Sequence, residues 1–279
     1  MKEFKRRVAV ISGAASGIGR ALAERCAREG MKVILADVEP GALAEVEANL
    51  QAGSRTALAV RTDVSQAKDV AALAEKTLEA FGAVHLLCNN AGVATNGTVW
   101  ESSHTDWEWV LGVNLWGVIH NVRTFVPIML AQDTECHVVN TASMSGLISF
   151  PGGSVYAVSK HGVVTLSEAL HHELAERGGK VKVSLLCPGL VQTRIVDCAR
   201  NRPERLAVTA PMGSVEAAGW ESLRQQMQTA TPPVQVADAV FQAIREERFY
   251  ILTHPEGKGW IRTRMKDILQ ERNPTSLAL

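Results

Sequence analysis

The sequence predicts an α/β protein built on a single doubly wound parallel sheet, and three observations carry that prediction. Short β-branched runs alternate with longer helical stretches along most of the 279 residues. Several of the runs are apolar at nearly every position rather than at every second one, so helices must cover both faces of the sheet. Between the first run and the first helical stretch lie Gly13, Gly17 and Gly19, where a strand must turn sharply into a helix.

The elements follow in order. RVAVIS (7–12) leads into a helix over 17–30, KVILAD (32–37) into 40–51, and TALAVRTD (56–63) into 66–81. VHLLCN (84–89) precedes a helix over 105–131, HVVNTAS (137–143) precedes one over 154–177, and VKVSLLCP (181–188) closes the regular series. From 190 to 233 the pattern is irregular, with Pro203, Pro211, Pro232 and Pro233 and with Met212, Trp220 and Leu223 between them. A long insertion after a strand end is where a substrate-binding lid lies; a surface excursion or subunit contact is the alternative. A helix (235–247), a strand (249–253) and a polar C-terminal tail (254–279) complete the chain. No Pro/Gly/Ser-rich or one-signed stretch divides it, so 1–279 reads as one domain.

Composition excludes several classes of function. Lys plus Arg and Asp plus Glu both number 29, so no net field recruits nucleic acid or an anionic membrane. No run approaches the roughly 20 apolar residues of a membrane span. The N-terminal charged-then-apolar stretch is broken at Gly13 and Ser16, which reads as a strand entering a turn and not as a secretory signal. Cys26, Cys88, Cys136, Cys187 and Cys198 are scattered, with no C-x-x-C pair and no histidine at ligand spacing. A cytoplasmic protein without disulfides or a metal site is expected.

Doubly wound sheets bind ligands beyond the carboxyl ends of their strands, where Gly13, Asp37, Asp63, Asn90, Ser143 and Pro188 fall. The glycines from Gly13 to Gly19 let the backbone approach a pyrophosphate at a helix N-terminus. Asp37 ends the second strand 24 positions after Gly13, where a carboxylate can accept from the ribose hydroxyls of a bound dinucleotide. Its charge would repel a 2′-phosphate by roughly 4 kcal/mol at about 4 Å and an effective dielectric near 20, which selects NAD over NADP. No Arg or Lys occupies 14–16 or 38–39 to receive that phosphate; a turn or helix-capping role is the alternative for Asp37.

Tyr156 and Lys160, four apart in a helical stretch, share one face. A phenol of pKa near 10 is a poor base at neutral pH, and a neighbouring ammonium would lower it by about 2 to 3 units. Together with Gly13, Gly17 and Gly19, Asp63-Val64, Asn89-Asn90-Ala91-Gly92, Asn114, Ser143, Tyr156-Ala-Val-Ser159-Lys160, and Pro188-Gly189 followed by Thr193, the chain resembles the short-chain dehydrogenase/reductase family over essentially its whole length. The resemblance implies a Rossmann-like fold and a set of roles. Ser143 would hold the substrate oxygen, Tyr156 would exchange its proton, and Lys160 would hold the nicotinamide ribose and depress the tyrosine pKa. Asn114 would hold a water between Lys160 and solvent. Gly13, Ser16, Gly17, Ile18 and Gly19 would form the pyrophosphate turn, and Asp63 and Val64 would meet the adenine. Asn90, Ala91 and Gly92 would line the ribose and nicotinamide side, with Pro188, Gly189, Val191 and Thr193 near the carboxamide. Ser145 is the alternative to Ser143, and Asn114 has the alternative of capping backbone within its own helix.

The activity expected is NAD-dependent transfer of hydride between the cofactor and a secondary alcohol or ketone. A catalytically silent dinucleotide-binding regulator is the alternative, and an epimerase or dehydratase on a related fold is disfavoured by the missing larger C-terminal domain. The pocket wall over 93–96, 145–150 and 190–233 is mostly apolar, which points to a hydrophobic or aromatic substrate. Arg194, Arg200, Arg202 and Arg205 leave room for an anionic group there. His171 and His172, adjacent on a helix, diverge by about 100° and do not share a metal. Trp107 and Trp109 read as packing residues between elements or subunits. In the family the two long helices build a four-helix contact, which implies a homodimer or homotetramer.

Overall fold

A computed structural model describes residues 1–207 and 214–277; Pro211 and Met212 of the expected lid lie outside the described residues. Seven strands among those residues form one wholly parallel sheet in the order β3-β2-β1-β4-β5-β6-β7. They are β1 (Val8–Ser12), β2 (Lys32–Asp37), β3 (Ala57–Arg61), β4 (Leu86–Asn89), β5 (Cys136–Thr141), β6 (Val181–Cys187) and β7 (Tyr250–Leu252). The helices are α1 (Gly17–Arg28), α2 (Pro40–Ala52), α3 (Ala67–Phe81), α4 (His104–Leu111), α5 (Gly117–Ala131), α6 (Ser154–Glu176), α7 (Ser214–Gln228), α8 (Pro233–Arg245) and α9 (Gly257–Leu269).

The non-alternating strands are explained by burial on both faces. Ala9, Ile11, Val33 and Leu35 point into one core, packed by Leu22 and Cys26 of α1, Leu43 and Val46 of α2, and Val240 and Phe241 of α8. Val10, Ile34 and Leu87 point the other way, onto Val70 and Leu73 of α3, Phe125 and Met129 of α5, and Leu170 of α6. Inside the sheet, Asn89 donates to Asn140 at 2.8 Å and Asn140 to Ser167 at 2.9 Å, a buried polar ladder joining β4, β5 and α6.

Three elements differ from the sequence-based expectation. The helix expected over 105–131 is interrupted at Gly112–Trp116 by a π-type turn, in which the Gly117 N–H reaches back to the Gly112 carbonyl. The irregular 190–233 stretch contains two short 3₁₀ turns, Ile195–Asn201 and Glu204–Leu206, and the helix α7. The expected polar tail carries α9. No helix among the described residues is long and apolar enough to cross a membrane.

Because β1 pairs with both β2 and β4, the chain winds away from β1 in two directions and leaves a crevice at the carboxyl ends of β1 and β4. That crevice opens into a cavity of about 1180 Å³.

Candidate active site

The turn after β1 leaves no room for a side chain at its glycines. Gly13 and Gly17 have φ of +67° and +54°, and a Cβ on Gly19 would lie 2.0 Å from the Gly13 carbonyl oxygen. Ser12 braces the turn from behind, its Oγ accepting from the Asn90 and Ala91 N–H groups at 3.0 and 3.2 Å. Ser16, the residue before α1, makes no side-chain cap, and the first turn holds no acidic residue. The leading amides of α1 are thus left for an external anion. By contrast α4 fills its own N-terminus with a capping box between Ser103 and Asp106.

Asp37 faces the cavity at the end of β2. Its two oxygens accept from the Ala15 N–H at 3.0 Å and the Glu39 N–H at 3.1 Å, so the carboxylate that holds the turn also lines the cavity. Burial pushes its pKa up, and the backbone donors from Ala15 and Glu39 work against that rise. Asp63 caps the next turn through the Ser65 N–H and hydroxyl at 3.0 and 2.7 Å. Ser16, Ile18, Val64, Asn90, Ala91, Gly92, Pro188, Gly189, Val191 and Thr193 line the same cavity, whereas Gly19 lies behind its wall.

Ser143, Tyr156 and Lys160 converge on this cavity from the end of β5 and the start of α6. The Ser143 Oγ accepts from the Ser145 N–H at 3.1 Å and lies 3.3 Å from the Ser145 Oγ, and both residues line the cavity. Lys160, only 3 % exposed, donates from Nζ to the Thr141 carbonyl at 2.9 Å and lies 5.5 Å from the Tyr156 ring centre. Burial lowers its pKa to about 8. Burial also raises the Tyr156 phenol to about 12, with the Ser143 hydroxyl opposing the rise. Desolvation of the phenol is the largest cause of that rise and sets its direction.

Asn114 is fully buried in the π-type turn. Its side chain accepts from the Val93 N–H at 2.8 Å and donates to the Val93 carbonyl at 2.9 Å and to Ser159 Oγ at 3.0 Å. Ser159 in turn donates to the Tyr156 carbonyl at 2.6 Å. The Asn114 side chain thus joins the loop after β4 to the helix turn that carries Tyr156.

The far wall is mostly apolar, with Ile148, Phe150, Ile195, Trp220, Leu223 and Trp260 among its residues. Trp107 lines the cavity while packing on a small core; Trp109 is buried, with the Arg202 guanidinium 5.0 Å over its ring. Arg200, Arg202 and Arg205 are committed to Glu39, Asp106 and Glu108, which leaves Arg194 as the cation of that group without an ion pair among the described residues.

Several functional positions had no signal in the sequence. His254 accepts from the Gly189 N–H at 2.9 Å and sits where a Gly189 side chain would be, pinning the turn after β6. Met144 fills the space above Gly257, which seats α9 against the Ser143 turn and brings Trp260 to the cavity. These contacts join residues remote in the chain, and no local pattern encodes them.

The chain is similar to known proteins over most of its length. The family model described as short chain dehydrogenase matches residues 7–204. The chain is 35% identical to a "CLA biosynthesis dehydrogenase/reductase" of Lactiplantibacillus plantarum, covering 98% of this chain and 97% of that protein. It is 34% identical to a 1-deoxy-11-beta-hydroxypentalenate dehydrogenase of Streptomyces exfoliatus, covering 95% and 89%. Among solved structures, a short chain dehydrogenase/reductase from Burkholderia phymatum in complex with NAD superimposes with a TM-score of 0.98 at 50% identity, covering all of both chains.

Proposed function

Since the chain belongs to the short-chain dehydrogenase family, we propose that it is an NAD-dependent oxidoreductase interconverting a hydrophobic or aromatic secondary alcohol and its ketone. The observation that carries this reading is the convergence of Ser143, Tyr156 and Lys160 on the cavity that Asp37 and the glycine turn also face. NAD fits the residues present: the glycine turn and uncapped α1 N-terminus suit a pyrophosphate, and the Asp37 carboxylate suits ribose hydroxyls and opposes a 2′-phosphate. The NAD-bound Burkholderia structure supports the same choice. When bound, NAD supplies the hydride chemistry.

The chain's own residues then manage one oxygen and one proton. The hydroxyls of Ser143 and Tyr156 hold the substrate oxygen and stabilise the charge it develops during reduction. With its pKa raised to about 12, Tyr156 holds a proton at neutral pH and serves as the acid in that direction. In oxidation the phenol first gives its proton to solvent, and the resulting phenolate, favoured by the positive charge on Lys160 whose Nζ is fixed by the Thr141 carbonyl, takes up the alcohol proton. Asn114 positions Tyr156 through Ser159. The half-exposed Trp116 and Val158 on the outer helices fit the subunit contact of a homodimer or homotetramer.

The test follows absorbance of reduced cofactor with purified protein, NAD+ or NADP+, and a panel of secondary alcohols, with Tyr156→Phe in parallel. Turnover with NAD+ and an apolar alcohol is expected, falling by about 10² to 10⁴ in the variant. Turnover confined to polyols would overturn the substrate class, and NAD+ binding without any turnover would favour the regulator.

A further inference from the structure

We infer that Glu39 is a positioning residue that couples the adenosine end of the cofactor site to the segment 195–201 of the substrate wall; this rests on the nucleotide placement proposed above. Glu39 stands two residues beyond Asp37, whose carboxylate fixes the Glu39 N–H at 3.1 Å and the glycine turn through the Ala15 N–H. The Glu39 carboxylate reaches across 161 residues of sequence. It accepts from Arg200 Nη2 at 2.5 Å and Nε at 3.3 Å, and from Asn201 Nδ2 at 2.8 Å. Arg200 also donates to the Asp197 and Arg194 carbonyls, so the same guanidinium stiffens the turn it anchors.

Ile195 and Cys198 of that turn form part of the substrate wall. The Cys198 Sγ is held against the backbone N–H and carbonyl of Ala94, both at 3.2 Å. Beyond it, Arg202 and Arg205 pair with Asp106 and Glu108 of α4. These ties all run to the substrate half of the cavity. Towards the nucleotide half the segment is joined by Thr193, packed on Gly17, and by the polar contacts to Glu39. A single exposed ion pair contributes little, but here three donors from two adjacent residues meet one carboxylate that is itself partly buried, and Arg200 holds its pKa below the usual range. Ordering the Asp37–Glu39 turn with a nucleotide therefore orders the wall the substrate packs against, and by reciprocity substrate tightens the nucleotide.

The test is limited trypsin digestion with and without saturating ADP-ribose, following cleavage after Arg194 and Arg205 by mass spectrometry. In the wild type ADP-ribose should slow that cleavage by about tenfold, in line with ordinary coupling between sites. In Glu39→Ala, and independently in Arg200→Ala, the protection should fall to within about twofold. The charge-exchanged double variant, Glu39→Arg with Arg200→Glu, should restore it. In steady state, Glu39→Ala should raise the substrate KM by about tenfold with kcat changed by less than about threefold. Wild-type protection retained in both single variants would assign the link to Thr193 and overturn the inference. Failure of the wild type to bind ADP-ribose would instead overturn the nucleotide placement, and the coupling with it.

Discussion

Replacing Lys160 by methionine should make the protein more stable relative to wild type at neutral pH, by an amount that shrinks as the pH rises. Lys160 is 3 % exposed and burial lowers its pKa to about 8. Against an ordinary lysine value near 10.4, carrying the charge in the folded state costs about 3 kcal/mol. The folded pKa lies below the unfolded one, so the unfolded chain binds more protons between about pH 8 and pH 10.4, and the cost is relieved as pH rises through that window. At pH 7.5 almost all of it is present; at pH 9.5 about 1 kcal/mol remains, a change of about 2 kcal/mol. The buried thiols, with Cys88 and Cys187 pushed to about 12, pull wild-type stability the other way over the same range. Cys88 is common to both proteins and cancels, whereas Cys187 is coupled by charge to Lys160, so the difference between variant and wild type reads Lys160 together with that coupling. The lost bond to the Thr141 carbonyl lowers the variant by about 1 to 3 kcal/mol, but that offset does not depend on pH. Urea unfolding of both proteins at pH 7.5 and 9.5, without nucleotide and at one protein concentration, measures the difference. A stability difference that stays flat between the two pH values would refute the burial of a charged Lys160.

Two further substitutions probe the nucleotide side, and a third on α2 serves as their contrast. Asp37→Asn keeps one of the two acceptors that hold the Ala15 and Glu39 N–H groups and removes the charge, so the ratio of kcat/KM for NADP+ over NAD+ should rise by about 10- to 1000-fold; an unchanged ratio would show that Asp37 does not set the preference. Gly19→Ala places a Cβ 2.0 Å from the Gly13 carbonyl oxygen, so NAD+ binding and thermal stability should both collapse, whereas Gly41→Ala, with nothing within 4 Å on α2, should raise stability by up to about 1 kcal/mol. Equal melting temperatures for the two alanine variants would contradict the packing of the glycine turn.

Most of the scaffold is legible locally because burial imprints a period on the chain. KVILAD occupies the span of β2, and the 154–177 helix is α6 to within one residue. Where burial leaves no such imprint, the elements are invisible. The buried residues of α9 are Gly257 and Asp267, so it presents no apolar stripe and reads as a polar tail. The π-type turn at Gly112–Trp116 hides inside an uninterrupted helical pattern, because its cause is the side chain of Asn114 reaching to Val93 on another element.

The sequence by itself determined the parallel sheet, the glycine turn, the acidic end of β2 and the four-residue spacing of Tyr156 and Lys160, since each depends on neighbours within a few residues. Tertiary structure alone decided what closes the site and how its groups titrate. His254 reaches Gly189, and Glu39 reaches Arg200, across 65 and 161 residues. The sign of the tyrosine shift follows the same rule. Helical spacing brings an ammonium near the phenol and argues for a lowered pKa, but the folded chain excludes water from both groups. Desolvation then disfavours each charged form, driving Tyr156 up and Lys160 down.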